Sequence, residues 1–170
     1  MSPGSVATRP VRREDLGQWR PLWDGYNAFY GRVGPTALDE AITRQTWDRF
    51  FQANDPVGAF VAELDQEVVG VAHIVYHPST TRLRDVCYLQ DLFTLPSARG
   101  KGVGHALIER VYAQARELGC SRVYWTTFED NTTARKLYDQ VTRYQGAIVY
   151  SKELGVVPTL ATRSLKEVCL

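Results

Sequence analysis

The sequence predicts a mixed α/β domain, one β-sheet with helices packed against it. Three observations lead there. Apolar residues recur at helical spacing over Arg13–Tyr30, Val103–Leu118 and Asn131–Val141. Apolar runs of strand length, bounded by polar residues or proline, occupy Gly58–Leu64, Glu67–Tyr76 and Val86–Leu95. The middle of the chain reads as an antiparallel meander, whereas strands and helices alternate in the second half, which is the pattern of a mixed sheet.

In chain order, Val6–Val11 is a short first strand. Arg13–Tyr30 is a helix with an aromatic stripe, Trp19, Trp23, Tyr26 and Tyr30, and Gly31–Pro35 breaks it. Leu38–Phe51, carrying Ile42, Trp47 and Phe50, is a second helix. Gly58–Leu64 and Glu67–Tyr76 are strands joined by a hairpin at Asp65–Gln66. Val86–Leu95 (VCYLQDLFTL) is a strand that Pro96 ends. Val103–Leu118 places Val103, Leu107, Val111 and Leu118 on one helix face, with Gly119 as its stop. Arg122–Thr127 is a strand. Asn131–Val141 is a helix presenting Ala134, Leu137, Tyr138 and Val141. Gly146–Leu154 is a final strand, and 155–170 reads as a further strand or an ordered tail. The order is βααβββαβαβ.

At 170 residues the chain is one domain, 1–170. Its net charge of +1 provides no basic field for nucleic acid. Three well-separated cysteines, Cys87, Cys120 and Cys169, form no CxxC pair and suit a reducing compartment. No apolar run approaches the roughly 18 residues of a membrane span. Met1–Arg12 has no signal-peptide core, so a cytoplasmic protein with no membrane partner is expected.

The most informative stretch is SARGKGVGHALIERV, Ser97–Val111. It follows a strand, places Arg99, Gly100, Lys101, Gly102, Val103 and Gly104 in a turn, and opens a helix. A helix N-terminus offers free N–H groups and partial positive charge, and glycines let an anion approach them. A phosphate or pyrophosphate is the expected guest. A P-loop is excluded because Gly100–Lys101 is followed by Gly102, not Ser or Thr. A dinucleotide GxGxxG is excluded because His105 and Leu107 stand where its third glycine belongs.

Arg99–Gly104 fits R/Q-x-x-G-x-G/A. It is preceded by LQDLFTLP and followed by YWTTFEDNTTARKLYDQV, in which Asn131 and Tyr138 are spaced as N-x6-Y. In these linked motifs the chain resembles the GCN5-related N-acetyltransferases, the GNAT superfamily, over Val86–Leu154. The aromatic helix and the "YW" and "LYD" segments look like the yeast histone-and-polyamine acetyltransferase branch and its bacterial relatives. The resemblance implies the GNAT fold: a mostly antiparallel central sheet, a parallel pair at the cofactor cleft and helices on both faces. It implies acetyl-CoA as co-substrate and acetyl transfer to a primary amine by direct attack in a ternary complex. The acceptor is a small molecule or a basic peptide.

The same resemblance assigns roles. Arg99–Gly104 would hold the CoA pyrophosphate, and Leu92, Phe93 and Thr94 would pair with the pantetheine arm. Tyr138 would contact the CoA sulfur and act as general acid, and Asn131 is either a cofactor contact or an N-cap. Trp23, Tyr26 and Tyr30, with Asp24 beside them, form an acceptor wall or simply core. Polyamine acetyltransferases of the superfamily carry glutamate where this chain has Gln90, so a polyamine acceptor loses support. Asp91 and Glu129 are the nearest acidic candidates for a base. Strand alternation points Asp91 away from Gln90. His73 and His77, four apart on a strand, cannot chelate together, and with His105 they carry no role and no metal site. A non-catalytic acyl-CoA sensor on the same fold and an unrelated nucleotide-binding regulator remain rivals. Many superfamily members dimerise, and a homodimer is among the open states.

Overall fold

A computed structural model describes residues 5–154. Strand β1 (Ala7–Pro10) leads through a 3-10 turn at Arg13–Asp15 into helix α1 (Leu16–Phe29), and α2 (Glu40–Arg49) follows. Strands β2 (Val57–Leu64), β3 (Glu67–His77) and β4 (Val86–Thr94) form the meander. Helix α3 (Val103–Glu117), strand β5 (Val123–Tyr124) and helix α4 (Thr132–Val141) complete the described elements. The five strands lie in sequence order, antiparallel from β1 to β4, with β5 parallel to β4. This is the expected mixed sheet with one parallel pair.

Each face of the sheet carries its own core. Trp19, Leu22 and Trp23 of α1 and Trp47 of α2 pack on Val61 and Val71. On the other face Leu107, Ile108 and Val111 of α3 pack on Ala72, Ile74, Cys87 and Leu89. The predicted aromatic stripe therefore divides. Trp19 and Trp23 are buried, while Tyr26 and Tyr30 lie further along toward the end of α1, Tyr26 stacked on Trp23 at 5.7 Å and Tyr30 tilted against Tyr26 at 4.9 Å. The hairpin at Asp65–Gln66 has both residues at positive φ, the conformation of a two-residue turn between twisted strands.

Two local devices place groups that matter later. At the end of α1, Gly31 takes φ +74, the Gly31 N–H donates to Ala28 and the Arg32 N–H donates back to Asn27. This is a Schellman cap. It folds the chain over the helix end and fixes Arg32 there, where its guanidinium donates to Asn27 Oδ1 at 3.0 Å. At the start of α1, both Asp15 oxygens accept from Arg9, at 2.6 and 2.9 Å, and one also accepts the Arg12 N–H. The Arg9 guanidinium holds the Asp15 carboxyl below the usual carboxylate range and ties β1 to α1.

Two expected strands differ. Arg122–Thr127 keeps only Val123–Tyr124 as strand. Gly146–Leu154, expected as a strand, forms no regular element, and Ile148, Val149 and Tyr150 are 71–87% exposed. An apolar run becomes a strand only when an edge pairs with it, and among the described residues no strand takes the free edge of β5. Residues 155–170, expected as a strand or tail, lie outside the described residues.

Candidate active site

The turn ahead of α3 is built to receive an anion. Gly100 and Gly102 stand at φ +75 and +82, a left-handed conformation that side chains resist, and a Cβ on either would meet open space. Gly102 caps α3, with its carbonyl accepting from Ala106. Among the described residues, none of the amides of residues 100–105 has a backbone acceptor. These donors lie at and just ahead of a helix N-terminus, with exposed Arg99 and Lys101 beside them. Val103 is buried and contributes only backbone, and Gly104 lets α4 approach, since a Cβ there would stand 3.0 Å from Leu137.

Strand β4 changes character halfway. It pairs with β5 only at Cys87–Val123 and Tyr88–Tyr124. Beyond Tyr88 the ladder ends, so among the described residues the edge of β4 through Leu92, Phe93 and Thr94 has no strand neighbour on that side. An extended chain with amide groups fits such an edge by adding as a strand.

A bulge in β4 overturns one expectation from the sequence. His73 pairs with Asp91 and Ile74 pairs with Leu89, so Gln90 is an extra residue in the ladder. Before the bulge, Cys87 and Leu89 face α3; after it, Asp91 and Phe93 face α1. Alternation is interrupted, and Gln90 and Asp91 line the same cleft instead of opposite faces. The cleft measures about 290 Å³ and is bordered also by Trp23, Tyr26, Arg32 and Arg49.

A hydrogen-bonded line runs behind this cleft. Trp19 Nε1–H donates to His73 Nε2 at 2.9 Å, and His73 Nδ1 meets Asp91 Oδ2 at 2.9 Å. An indole N–H can only donate, so Nε2 carries the lone pair and Nδ1 carries the proton given to Asp91. His73 is 2% exposed and Asp91 9%. Burial, together with the Asp91 carboxylate facing its hydroxyl, raises the Tyr26 phenol well above its ordinary range. Burial raises the Tyr30 phenol as well, partly offset by its hydrogen bond with Tyr26. Sequence reading gave His73 no role, because its partners Trp19 and Asp91 lie 54 and 18 positions away. The carboxylate at the cleft is Asp91; Asp24, placed beside the aromatic wall by its position, bonds Arg20 at 2.9 Å instead.

Tyr138 projects from α4 against Trp125, with ring centroids 5.2 Å apart. Burial pushes its phenol up to about 12, and the Tyr30 hydroxyl adds to the shift. Asn131 is the N-cap of α4: its side chain accepts from the Ala134 N–H, and its amide donates to Thr127 Oγ1 at 3.1 Å. His77 bonds Tyr124 at 2.8 Å, away from the cleft. Among the described residues no helix is long and apolar enough to cross a membrane.

Comparisons with known proteins bear on the family and the fold. The model of the acetyltransferase (GNAT) family matches residues 19–142. The chain is 31% identical over 149 residues to the D-amino-acid N-acetyltransferase HPA3 of Saccharomyces cerevisiae, covering 86% of this chain and 90% of that one. It is 28% identical over 88 residues to the thialysine N-epsilon-acetyltransferase of Caenorhabditis elegans, covering 52% of this chain and 54% of that one. Among solved structures, a transcriptional regulator from Bacillus halodurans C-125 superposes with TM-score 0.74 at 20% identity, over 88% of this chain and all of that one. An aminoglycoside N-acetyltransferase in complex with CoA superposes with TM-score 0.70 at 23% identity, over 89% and 97%. These two likenesses concern the fold. With the family model spanning both faces of the sheet, the turn and the N-x6-Y helix, the chain belongs to the GNAT family of acetyltransferases and is an acyltransferase enzyme.

Proposed function

We propose that this enzyme transfers an acetyl group from acetyl-CoA to a small primary amine, by direct attack while both are bound. The observation that carries this is the run of unpartnered amides at 100–105, which fits a pyrophosphate, beside a β4 edge that fits a pantetheine arm. The names of the relatives support a small amine, since they act on D-amino acids and thialysine. When bound, acetyl-CoA supplies an activated thioester. Arg99–Gly104 would hold its pyrophosphate, and the backbone of Leu92–Thr94 its pantetheine. A backbone N–H on that stretch polarises the carbonyl.

The acceptor amine enters the cleft at Gln90 and Asp91. Asp91, oriented by His73, holds the ammonium, which gives up one proton to water before attack. Tyr138 keeps its proton across the neutral range and donates it to the departing thiolate. Burial raises the phenol to about 12, which keeps that proton in place until the thiolate leaves. Asn131 acts by fixing the start of α4, which aims Tyr138.

The test is acceptor-dependent release of CoA thiol by the wild-type enzyme and by Tyr138→Phe. General acid catalysis contributes about 100-fold or more. Tyr138→Phe lowers kcat by about that factor and leaves the CoA dissociation constant within a few-fold. Full turnover by Tyr138→Phe at every pH would remove Tyr138 from the mechanism. Acetyl-CoA that binds but is never discharged by any amine would favour the acyl-CoA sensor.

A further inference from the structure

The cleft carries two cations, Arg32 and Arg49, that the acetyl-transfer chemistry leaves unused. Asp91 supplies one buried negative group at its floor, and Arg32 and Arg49 supply two guanidinium groups at its rim. Arg32 has no carboxylate partner among the described residues; its contacts are Asn27 Oδ1 and, at 5.7 Å, the face of Tyr30. Arg49 meets Asp55 only at 3.6 Å, longer than a hydrogen bond, while an Asp55 oxygen accepts the Val57 N–H. Both guanidinium groups therefore keep donors for a guest.

We propose that Arg32 and Arg49 recognise a carboxylate on the acceptor, so that the enzyme selects amines that carry a carboxylate, such as free amino acids. The inference rests on the acetyltransferase reading and assigns its substrate specificity. Guanidinium forks match a carboxylate with paired, charge-assisted hydrogen bonds. An amino acid bound across the cleft puts its ammonium toward Asp91 and its carboxylate toward the rim, pairing every charge. A polyamine or a basic peptide puts further cations against two guanidinium groups. The chain places one of these groups by a specific device: the Schellman cap at Gly31 turns the chain back over the end of α1, which puts Arg32, still solvent-exposed, among the residues lining the cleft.

The test compares amines that differ only in the carboxylate: alanine with ethylamine, phenylalanine (both enantiomers) with phenethylamine, and lysine with cadaverine. The readout is the ratio of kcat/KM for the acid to that for the amine. The wild-type ratio is about 10 or more in each pair that is turned over, since a charge-assisted pair at a half-open site is worth about a factor of ten. Arg32→Gln and Arg49→Gln each lower the ratio through KM for the acid, the double variant brings it near one, and Arg32→Lys retains more of it than Arg32→Gln. Added salt shrinks the wild-type ratio. Both side chains are exposed, and thermal unfolding checks that the variants fold. A wild-type ratio near or below one, or a ratio unchanged in the double variant, overturns the inference while leaving the transferase reading intact. If no member of any pair accepts an acetyl group, the transferase reading falls and the inference falls with it.

Discussion

Gly70→Ala probes the link between the core and the anion-binding turn. Gly70 lies on β3 beneath the first turn of α3. A Cβ there would stand 2.6 Å from Val103 Cγ1, 3.1 Å from Leu107 Cδ1 and 3.3 Å from the Phe93 carbonyl oxygen. Ordinary carbon contacts lie at about 3.5–4.0 Å, so the overlap with Val103 is about 1 Å. Val103 cannot swing away: it is 1% exposed and β-branched in a helix, where one rotamer dominates. Leu107 is fully buried, and the carbonyl belongs to β4. The N-terminus of α3 must lift off the sheet. Overpacking of this kind costs about 1–3 kcal/mol, and the lower backbone entropy of alanine in the unfolded chain returns about 0.4–1. A net loss near 1–2 kcal/mol lowers Tm by about 2–8 °C for a chain of this length. Val103 adjoins Gly102, so the lift also disturbs the amides of residues 100–105 and weakens CoA binding several-fold by calorimetry. Val103→Ala removes the clashing methyl groups, so a double-mutant cycle gives a favourable coupling of about 1 kcal/mol or more. An unchanged or higher Tm for Gly70→Ala, or strictly additive effects in the cycle, would refute the packing argument.

Three further outcomes follow from particular contacts. Gly31→Ala meets no atom within 4 Å, so its only cost is the left-handed backbone at φ +74, about 1–2 kcal/mol, read as a fall in Tm; the acid-over-amine preference set by Arg32 falls with it. Asp15→Asn, by weakening the part-buried fork with Arg9, which keeps Glu63 as a partner, costs about 1.5–3 kcal/mol at neutral pH in urea unfolding. Because the Asp15 carboxyl is held below its ordinary 3.8, its contribution is present above that value and is lost as pH falls through the lower folded one. The gap between wild type and Asp15→Asn therefore closes below about pH 4, and a gap independent of pH would contradict the pairing. Burial pushes the Cys87 thiol up to about 12, so peptide mapping after iodoacetamide at neutral pH finds Cys87 unmodified in the native enzyme and alkylated after unfolding. Rapid native alkylation of Cys87 would show that α3 does not seal it.

The elements that the sequence identified by pattern were those whose information is local. The 3.6-residue period of α3, the polar pair at Asp65–Gln66 and the glycines of the 99–104 turn each act through near neighbours, and all three stand where expected. The capping role of Asn131 was readable for the same reason. The missed features depend on distant partners. Nothing in VCYLQDLFTL marks a bulge, since no glycine interrupts it, and the extra residue at Gln90 shows only in the pairing with His73 and Ile74. Without the bulge, Asp91 falls on the α3 side and His73 has no carboxylate to face. Gly146–Leu154 erred in the opposite direction. Its composition suits a strand, but a strand needs an edge, and local composition cannot say whether one is free. Arg32 and Arg49 gave no signal as isolated charges; only the cleft brings them together.

The central claim is tested most directly by the mass of the acceptor. The purified enzyme is incubated with acetyl-CoA and the panel of amino acids and their decarboxylated amines, with no-acceptor and no-enzyme blanks, and both the amine and the CoA product are analysed by mass spectrometry. The account predicts that a carboxylate-bearing amine gains the mass of one acetyl group for each CoA thiol released, and that Tyr138→Phe slows both together. Acetyl-CoA bound tightly yet recovered intact beside every amine would contradict it and make the cleft a sensing site.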